Sequence, residues 1–485
     1  MTHTVRPPQR TKSVAANPHR WLVLAIIGIA QLMVVLDTTI VNIALPSAQA
    51  DLGFSTQNRQ WVITAYSLAF GSLLLLGGRL SDLIGRRTTL QIGLLGFAAA
   101  SALGGAAPNF ALLLSSRALQ GVFAAILAPA ALSTLNVTFT DARERGRAFG
   151  VYAAIAGGGS VIGLIVGGAL TEWLSWRWCL YVNLFFALPA ALGVLTYVSG
   201  HDARVRPRID LPGLVAACGG LFCLVYGLSN AEMDRWEAPL TVTMLVLSAV
   251  LLISFVVVEA RVANPLLPLR VLADRRRGSS FLTIALAFTA MFGTFLFLTY
   301  YLQQNLGYSP LKTGVAFLPI SAGIVVSAGL SNVRLVPRFG PRPLVPTGFV
   351  IGVAAMVWLA QLTPGSTYAG GVLVPMILFG LGVGLAFAPS INTATTGIDH
   401  ADAGVGSAMV NTSQQVGGAI GTAVLSTVFA SAVTSYASSH RPGPQLLGAA
   451  SIHGYTTAFA VCAGVFAVGA VLSAVLLPSG RAGQT

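Results

Sequence analysis

Charged residues are scarce in this chain: only 9% of its 485 residues are Asp, Glu, Lys or Arg, against roughly 25% in an ordinary soluble domain. That is too little polar surface to cover a soluble core of this size, and 55% hydrophobic residues excludes a disordered chain. A polytopic membrane protein remains. Lysine is nearly missing, with Lys12 and Lys312 alone among the 28 basic residues. The arginine bias, with abundant Ala and Gly, points to a GC-rich bacterial genome and says nothing about mechanism. The four cysteines (Cys179, Cys218, Cys223, Cys462) lie in apolar runs without metal-ligand spacing, which reads as small core residues. All six histidines (His3, His19, His201, His400, His440, His453) fall outside the apolar runs, which argues against a haem or metal site inside the membrane. No metal and no cofactor is therefore expected.

What is present is a succession of apolar runs of about 20 residues, without the alternation over about 10 that a barrel needs. Fourteen candidate helices cover approximately 21–45, 59–77, 89–107, 110–135, 148–170, 178–198, 211–229, 240–258, 281–303, 312–333, 344–361, 370–388, 405–432 and 455–477. The basic start and Ala48-Gln49-Ala50 resemble a signal peptide, but the first apolar stretch is about 25 residues long and a signal h-region is about 7–15, so it is read as a retained helix. With the N-terminus inside, the cytoplasmic segments hold 22 Lys/Arg and the outer ones hold 5 (Arg59, Arg177, Arg235, Lys312, Arg441). Such a bias places both termini in the cytoplasm. It also disposes of the nucleic-acid reading of a +13 net charge, because the arginines are scattered over many short loops. One acid, Asp37, and one base, Arg117, remain well inside the bilayer.

An internal repeat supports the same topology. Arg79-Leu80, Gly85 and Arg87 recur as Arg334-Leu335, Gly340 and Arg342 at an offset of 255, and Asp141, Gly146, Gly159 and Gly163 recur as Asp399, Gly404, Gly417 and Gly421 at an offset of 258. Two six-helix halves with an inserted pair follow: a basic tail over 1–20, a bundle over 21–198, a linker with two helices over 199–280, a second bundle over 281–477 and a tail over 478–485. The fold class is all-α integral membrane, with 14 transmembrane helices as two six-helix bundles plus the inserted pair. Parallel repeats are a transporter signature, with the site between the halves.

The chemistry concentrates in few places. A carboxylate within a span costs at least roughly 2.5–3.5 kcal/mol on insertion scales, so Asp37 should face a cavity or a partner. A carboxyl withdrawn from water titrates nearer neutral pH and can exchange a proton; the alternative is a permanently paired structural charge. Asp37 lies about eight residues before the outer end of helix 1, and Arg117 about seven after the outer start of helix 4, which puts both roughly 10–12 Å deep at 1.5 Å per residue. Equal depth permits coupling, directly or through water. The loop Gly78-Arg79-Leu80-Ser81-Asp82-Leu83-Ile84-Gly85-Arg86-Arg87 offers a tight turn at Gly85 and, in Asp82, a helix cap or arginine partner that forms a breakable latch. Gly159, Gly163 and Gly167, spaced by four, share a helix face suited to close packing and to sliding or bending. Asn411 and Gln415 are one turn apart, either as interhelical glue or as cavity lining. Polar residues within spans add Gln31, Asn42, Tyr66 and Gln120 to the candidates for cargo contact.

Together these residues resemble the major facilitator superfamily, in particular its fourteen-span drug:proton antiporters. Leu36–Pro46 is similar to that family's helix-1 signature, Gly78–Leu90 to the superfamily's loop 2–3 motif and Arg117–Ala125 to its helix-4 motif. The resemblance implies proton binding near Asp37, a coupling role for Arg117 and a latch at Asp82, Arg86 and Arg87. Leu164 follows Gly163 where the family usually has Pro, and Phe185 stands where Pro is common. The expected activity is export of amphipathic small molecules, cationic or neutral, driven by the proton gradient, from a monomer in the lipid bilayer of the bacterial cell membrane. Export of a self-made antibiotic or lipid would use the same motifs. An intramembrane enzyme would need a His or acid cluster in the spans, and an ion channel a charged ring; neither is visible.

Overall fold

The computed structural model describes residues 18–54, 56–198, 210–233, 236–262, 265–396, 398, 403–440 and 446–477. Among them there is no strand, and fourteen long helices follow one another. They are α1 (Arg20–Leu52), α2 (Thr56–Ile84), α3 (Arg86–Gly105), α4 (Phe110–Thr138), α5 (Ala142–Trp173), α6 (Trp178–Tyr197), α7 (Leu211–Met233), α8 (Pro239–Glu259), α9 (Arg275–Asn305), α10 (Leu311–Phe339), α11 (Pro341–Leu359), α12 (Tyr368–Thr395), α13 (Ala403–Ser439) and α14 (Leu446–Leu476). Thirteen are long and apolar enough to cross a membrane; α5 is 32 residues long, and its described apolar stretch is Ile162–Trp173.

Most helices outrun the apolar runs that mark them, because hydropathy registers only the lipid-immersed part while capping sets the ends. Asn109 accepts from the Leu112 amide at the start of α4, Asp141 from Arg143 and Glu144 at α5, and Asp274 from Arg276 and Arg277 at α9. Backbone hydrogen bonding is thereby completed within each segment, as a membrane demands.

Helix packing repeats. In the first half α1 packs on α5 and α6, α2 on α4, and α3 on α4 and α6; in the second α9 packs on α13 and α14, α10 on α12, and α11 on α12 and α14. The turns that open α3 and α11 match: Gly85 and Gly340 are both N-caps with positive φ, 89° and 76°, which an L side chain rarely adopts. The halves meet along two seams, α2 with α13 and α5 with α10. The pair α7–α8 lies outside this repeat: α7 packs on α2 and α13, and the turn after α8 is closed by Glu259, which accepts from the Leu266 and Leu267 amides.

The glycine stripe of α5 packs within the first half. A Cβ at Gly159 would meet Val35 and Leu32, one at Gly163 would meet Thr39, and one at Gly167 would meet the Ile40 backbone, all on α1. The glycines of the seams are others. Gly78 faces Gly404 and Ala408 of α13, and Gly146 faces the Asn332 carbonyl of α10. Leu164, at the position where Pro was expected, lies against Gly314 of α10, and α5 runs through it unbroken.

Candidate functional site

The acid and the base of the bilayer interior are in direct contact. Asp37 is wholly buried midway along α1, and Arg117 of α4 is 1% exposed. Arg117 Nη1 donates to Asp37 Oδ2 at 2.6 Å and to Gln120 Oε1 at 2.7 Å, and its Nε reaches the Val62 carbonyl at 3.4 Å. The guanidinium carbon lies 4.6 Å from the centroid of the Tyr66 ring, a cation–π contact. The other carboxylate oxygen, Oδ1, accepts from Gln120 Nε2 at 2.8 Å and from Asn183 Nδ2 at 2.7 Å. Both amides also donate to Ser101 Oγ, at 2.6 and 3.2 Å. A buried ion pair repays its desolvation only when the remaining hydrogen-bonding capacity is met, and here three N–H donors converge on one carboxylate.

Local sequence explains how five helices converge. Gly121 follows Gln120, and a Cβ there would strike the Tyr66 carbonyl, so α4 lies close enough to α2 for Arg117 to cross the Tyr66 ring. Gly104 gives α3 the same freedom against Ser116 of α4. The Trp176-Arg177 turn ties α6 down: Trp176 Nε1 and Arg177 Nη2 donate to Asp51 Oδ2 at 3.0 and 2.9 Å, and Arg177 Nη1 donates to the Ala107 carbonyl at 2.7 Å. That clamp joins the ends of α1, α3 and α6 and sets the register of Asn183 against Asp37.

The remaining candidates are placed as follows. Tyr66 and Gln120 belong to the Asp37 cluster. Gln31 lies elsewhere on α1, accepting from the Tyr152 hydroxyl of α5 at 2.8 Å. Asn411 is buried in α13 and donates to the Ser407 carbonyl of its own helix at 3.0 Å, while Gln415 lies beside Gly71 of α2. The side chain of Asn42 lies outside the described residues. Sequence reasoning missed Ser101 and Asn183 as partners of the carboxylate. Both are polar residues inside apolar spans, the same signal that singled out Gln120.

The loop 2–3 motif divides between the halves. Asp82 Oδ1 accepts from the backbone amide of Gly404 at 3.1 Å, so this acid of α2 sits at the N-terminal end of α13 across the seam, where a helix favours negative charge. Arg86 Nε donates to Ser133 of α4 at 2.9 Å and Arg87 Nη2 donates to the Leu195 carbonyl of α6 at 2.5 Å, both within the first half. On this face the halves are also joined by Asn136 of α4, which donates to the Thr395 carbonyl of α12 at 3.2 Å.

Two helix bundles repeating one packing pattern, with a seam contact at the loop 2–3 motif, agree with what sequence comparison finds: the profile described as Major Facilitator Superfamily matches residues 27–422. The chain belongs to the Major Facilitator Superfamily. It is 50% identical over 475 residues to the puromycin resistance protein pur8 of Streptomyces alboniger, covering 98% of this chain and 94% of that one. It is 38% identical to the cephamycin export protein CmcT of Amycolatopsis lactamdurans, covering 88% of both, and 31% identical to the tetracenomycin C resistance and export protein of Streptomyces glaucescens, covering 85% and 76%. Among solved structures, the human organic anion transporter MFSD10 (TETRAN) superposes with a TM-score of 0.66 at 16% identity, covering 94% of this chain and all of that one, which is a likeness of fold. The chain is thus a multi-pass transporter of the Major Facilitator Superfamily and not an enzyme, similar to bacterial antibiotic resistance and export proteins.

Proposed function

We propose that this transporter exports amphipathic, antibiotic-type small molecules in exchange for protons, with Asp37 as the proton-binding group and Arg117 as its counter-charge. The observation that carries the reading is the Asp37–Arg117 pair, buried, 2.6 Å apart and caged by amides. With Asp37 ionised the cluster is neutral; with Asp37 protonated it carries the full charge of Arg117. Proton uptake from outside therefore makes the interior positive and favours discharge of a cationic cargo by direct repulsion, whereas a neutral cargo is released by the rearrangement of the cluster, and proton release to the cytoplasm readies the site for the next molecule. Arg117 keeps Gln120, the Val62 carbonyl and the Tyr66 ring as partners when its anion is neutralised, so the charge need not leave the site.

The cycle is alternating access of two six-helix bundles, α1–α6 and α9–α14, about a central cavity, with α7–α8 as the inserted pair and both termini in the cytoplasm of a bacterial cell. Asp82 on Gly404 latches the cytoplasmic side, and Gln31, Asn411 and Gln415 are the candidate cargo contacts. A monomer suffices for this cycle. One proton crossing 100 mV contributes about 2.3 kcal/mol, and a pH unit about 1.4 kcal/mol more. Together these sustain roughly a 500-fold gradient of a neutral molecule per proton.

The names of the relatives make antibiotics the first cargo to test, puromycin ahead of the rest because of the 50% identity to pur8. Export of an antibiotic or lipid made by the cell itself would use the same site; growth panels and genomic neighbours distinguish the two sources. In inverted vesicles, puromycin uptake should collapse with an uncoupler and in Asp37→Asn. Full proton-driven transport by Asp37→Asn would remove Asp37 from the coupling role.

A further inference from the structure

Among the described residues, every polar contact made to Asp37 serves its ionised form. Arg117, Gln120 and Asn183 all present N–H groups. A protonated carboxyl carries an O–H, and in a buried site that proton needs an acceptor. Four side-chain oxygens belong to the residues of this cluster. Gln120 Oε1 already accepts from Arg117, and Ser101 Oγ already accepts from two amides. Tyr66 Oη and Asn183 Oδ1 are buried without a hydrogen-bond partner. Of these two, Asn183 Oδ1 belongs to a side chain that is wholly buried and whose amide nitrogen already touches Asp37 at 2.7 Å.

Resting on the proton-coupling reading above, we propose that Asn183 is the positioning residue that follows the charge on Asp37. Its Nδ2 donates to the carboxylate, and after a half-turn of the amide about the Cβ–Cγ bond its Oδ1 accepts from the carboxylic acid. No bond is made or broken beyond the O–H of Asp37, whose proton comes from and returns to solvent. Leucine or alanine could not serve either charge state, and a second arginine could serve only one. The amide also explains why a buried polar atom is left unpaired in the ionised state: the same atom is the partner of the other state. The titratable groups facing Asp37 from the neighbouring helices are Arg117 of α4, Tyr66 of α2 and Cys179 of α6.

The test needs no cargo. In the purified full-length transporter in lipid nanodiscs, an infrared pH titration follows the carbonyl band of a protonated carboxylic acid, and the band missing from Asp37→Asn belongs to Asp37. In Asn183→Leu that band should rise to higher frequency, since the acid has lost its acceptor. Its midpoint should move by about one unit toward higher pH, since a donor to a charged group is worth more than an acceptor for a neutral one. Should Asn183→Leu fail to fold, the isosteric Asn183→Asp should add a second acid band and displace the midpoint by at least as much, because two adjacent carboxylates share a proton. An Asp37 band whose frequency and midpoint are unmoved in whichever variant folds overturns the role of Asn183 alone. A titration in which Asp37→Asn removes no band overturns the proton-binding reading on which it rests.

Discussion

The two halves share one scaffold and differ in what fills it. Gly121 sits against the Tyr66 carbonyl where α4 crosses α2, and Gly380 sits against the Ile320 carbonyl where α12 crosses α10. That match sets the register: Arg117 corresponds to Met376, Gln120 to Phe379 and Tyr66 to Ile320. The shared Gly85 and Gly340 turns pair Ser101 with Met356. All four residues of the second half are buried and apolar, and Phe379 belongs to an aromatic group with Phe295 and Phe466. The close backbone approaches made by small residues are kept in both halves, whereas the charge and its amides occur in one. Packing and chemistry are thus separable in this fold: the first depends on where side chains are missing, the second on a few polar substitutions laid over it.

The largest effect should come from making the first half like the second at its centre. Arg117→Met leaves Asp37 buried without its counter-charge and should cost about 3–5 kcal/mol, seen as a strongly lowered melting temperature in detergent, whereas Asp37→Ala combined with Arg117→Met should recover most of that loss without restoring proton-driven transport. A double variant that melts as low as the single one would break the comparison. Next, Gly121→Val and Gly380→Val should each lose about 1–3 kcal/mol by overpacking against a backbone carbonyl; unequal losses would mean the crossings are not equivalent.

The seams offer a smaller contrast. Asp82 meets the Gly404 amide, but the residue at the same repeat position is Pro337, which has no carboxylate. Asp82→Ala should cost about 1 kcal/mol as a lost cap and raise hydrogen exchange at the start of α13, while Pro337→Ala should leave the start of α5 unchanged. The smallest effect is expected at Asp141, the exposed cap of α5, whose carboxyl is held below the usual range by the backbone amides of Glu144 and Arg143. A depressed carboxyl stabilises the fold above its unfolded pKa of about 3.9 and loses that contribution as pH falls through the folded value. The melting difference between wild type and Asp141→Ala should therefore be full above about pH 4 and close below it.

Much of the site was legible in the sequence, because one acid and one base among apolar spans have few ways to avoid each other at equal depth. The loop motif was legible for a similar reason: Gly85 needs its positive φ, and Asp82 was expected either to cap a helix or to pair with arginine. Less of the polar lining could be read. Being polar in a span identifies a residue that needs a partner without saying which, so Gln120 and Tyr66 fell into the cluster while Gln31 found Tyr152 on another face. Likewise, spacing by four put Gly159, Gly163 and Gly167 on one face of α5, but whether that face meets α1 or the opposite half depends on the rotation of α5 in the bundle.

The sequence by itself determined that the chain crosses a membrane as helices, that it repeats, and which acid and base lie in its interior. Each follows from local quantities: the transfer free energy of a run of about 20 residues, the spacing of like residues, and the cost of an isolated charge in hydrocarbon. Only the tertiary structure decided that Asn183 and Ser101 complete the shell of Asp37, that Asp82 reaches the start of α13 across the seam, and that the second half fills the same crossing with Met376 and Phe379. Those outcomes depend on how each helix is turned about its axis, and that rotation is set by close contacts with residues far away in the chain.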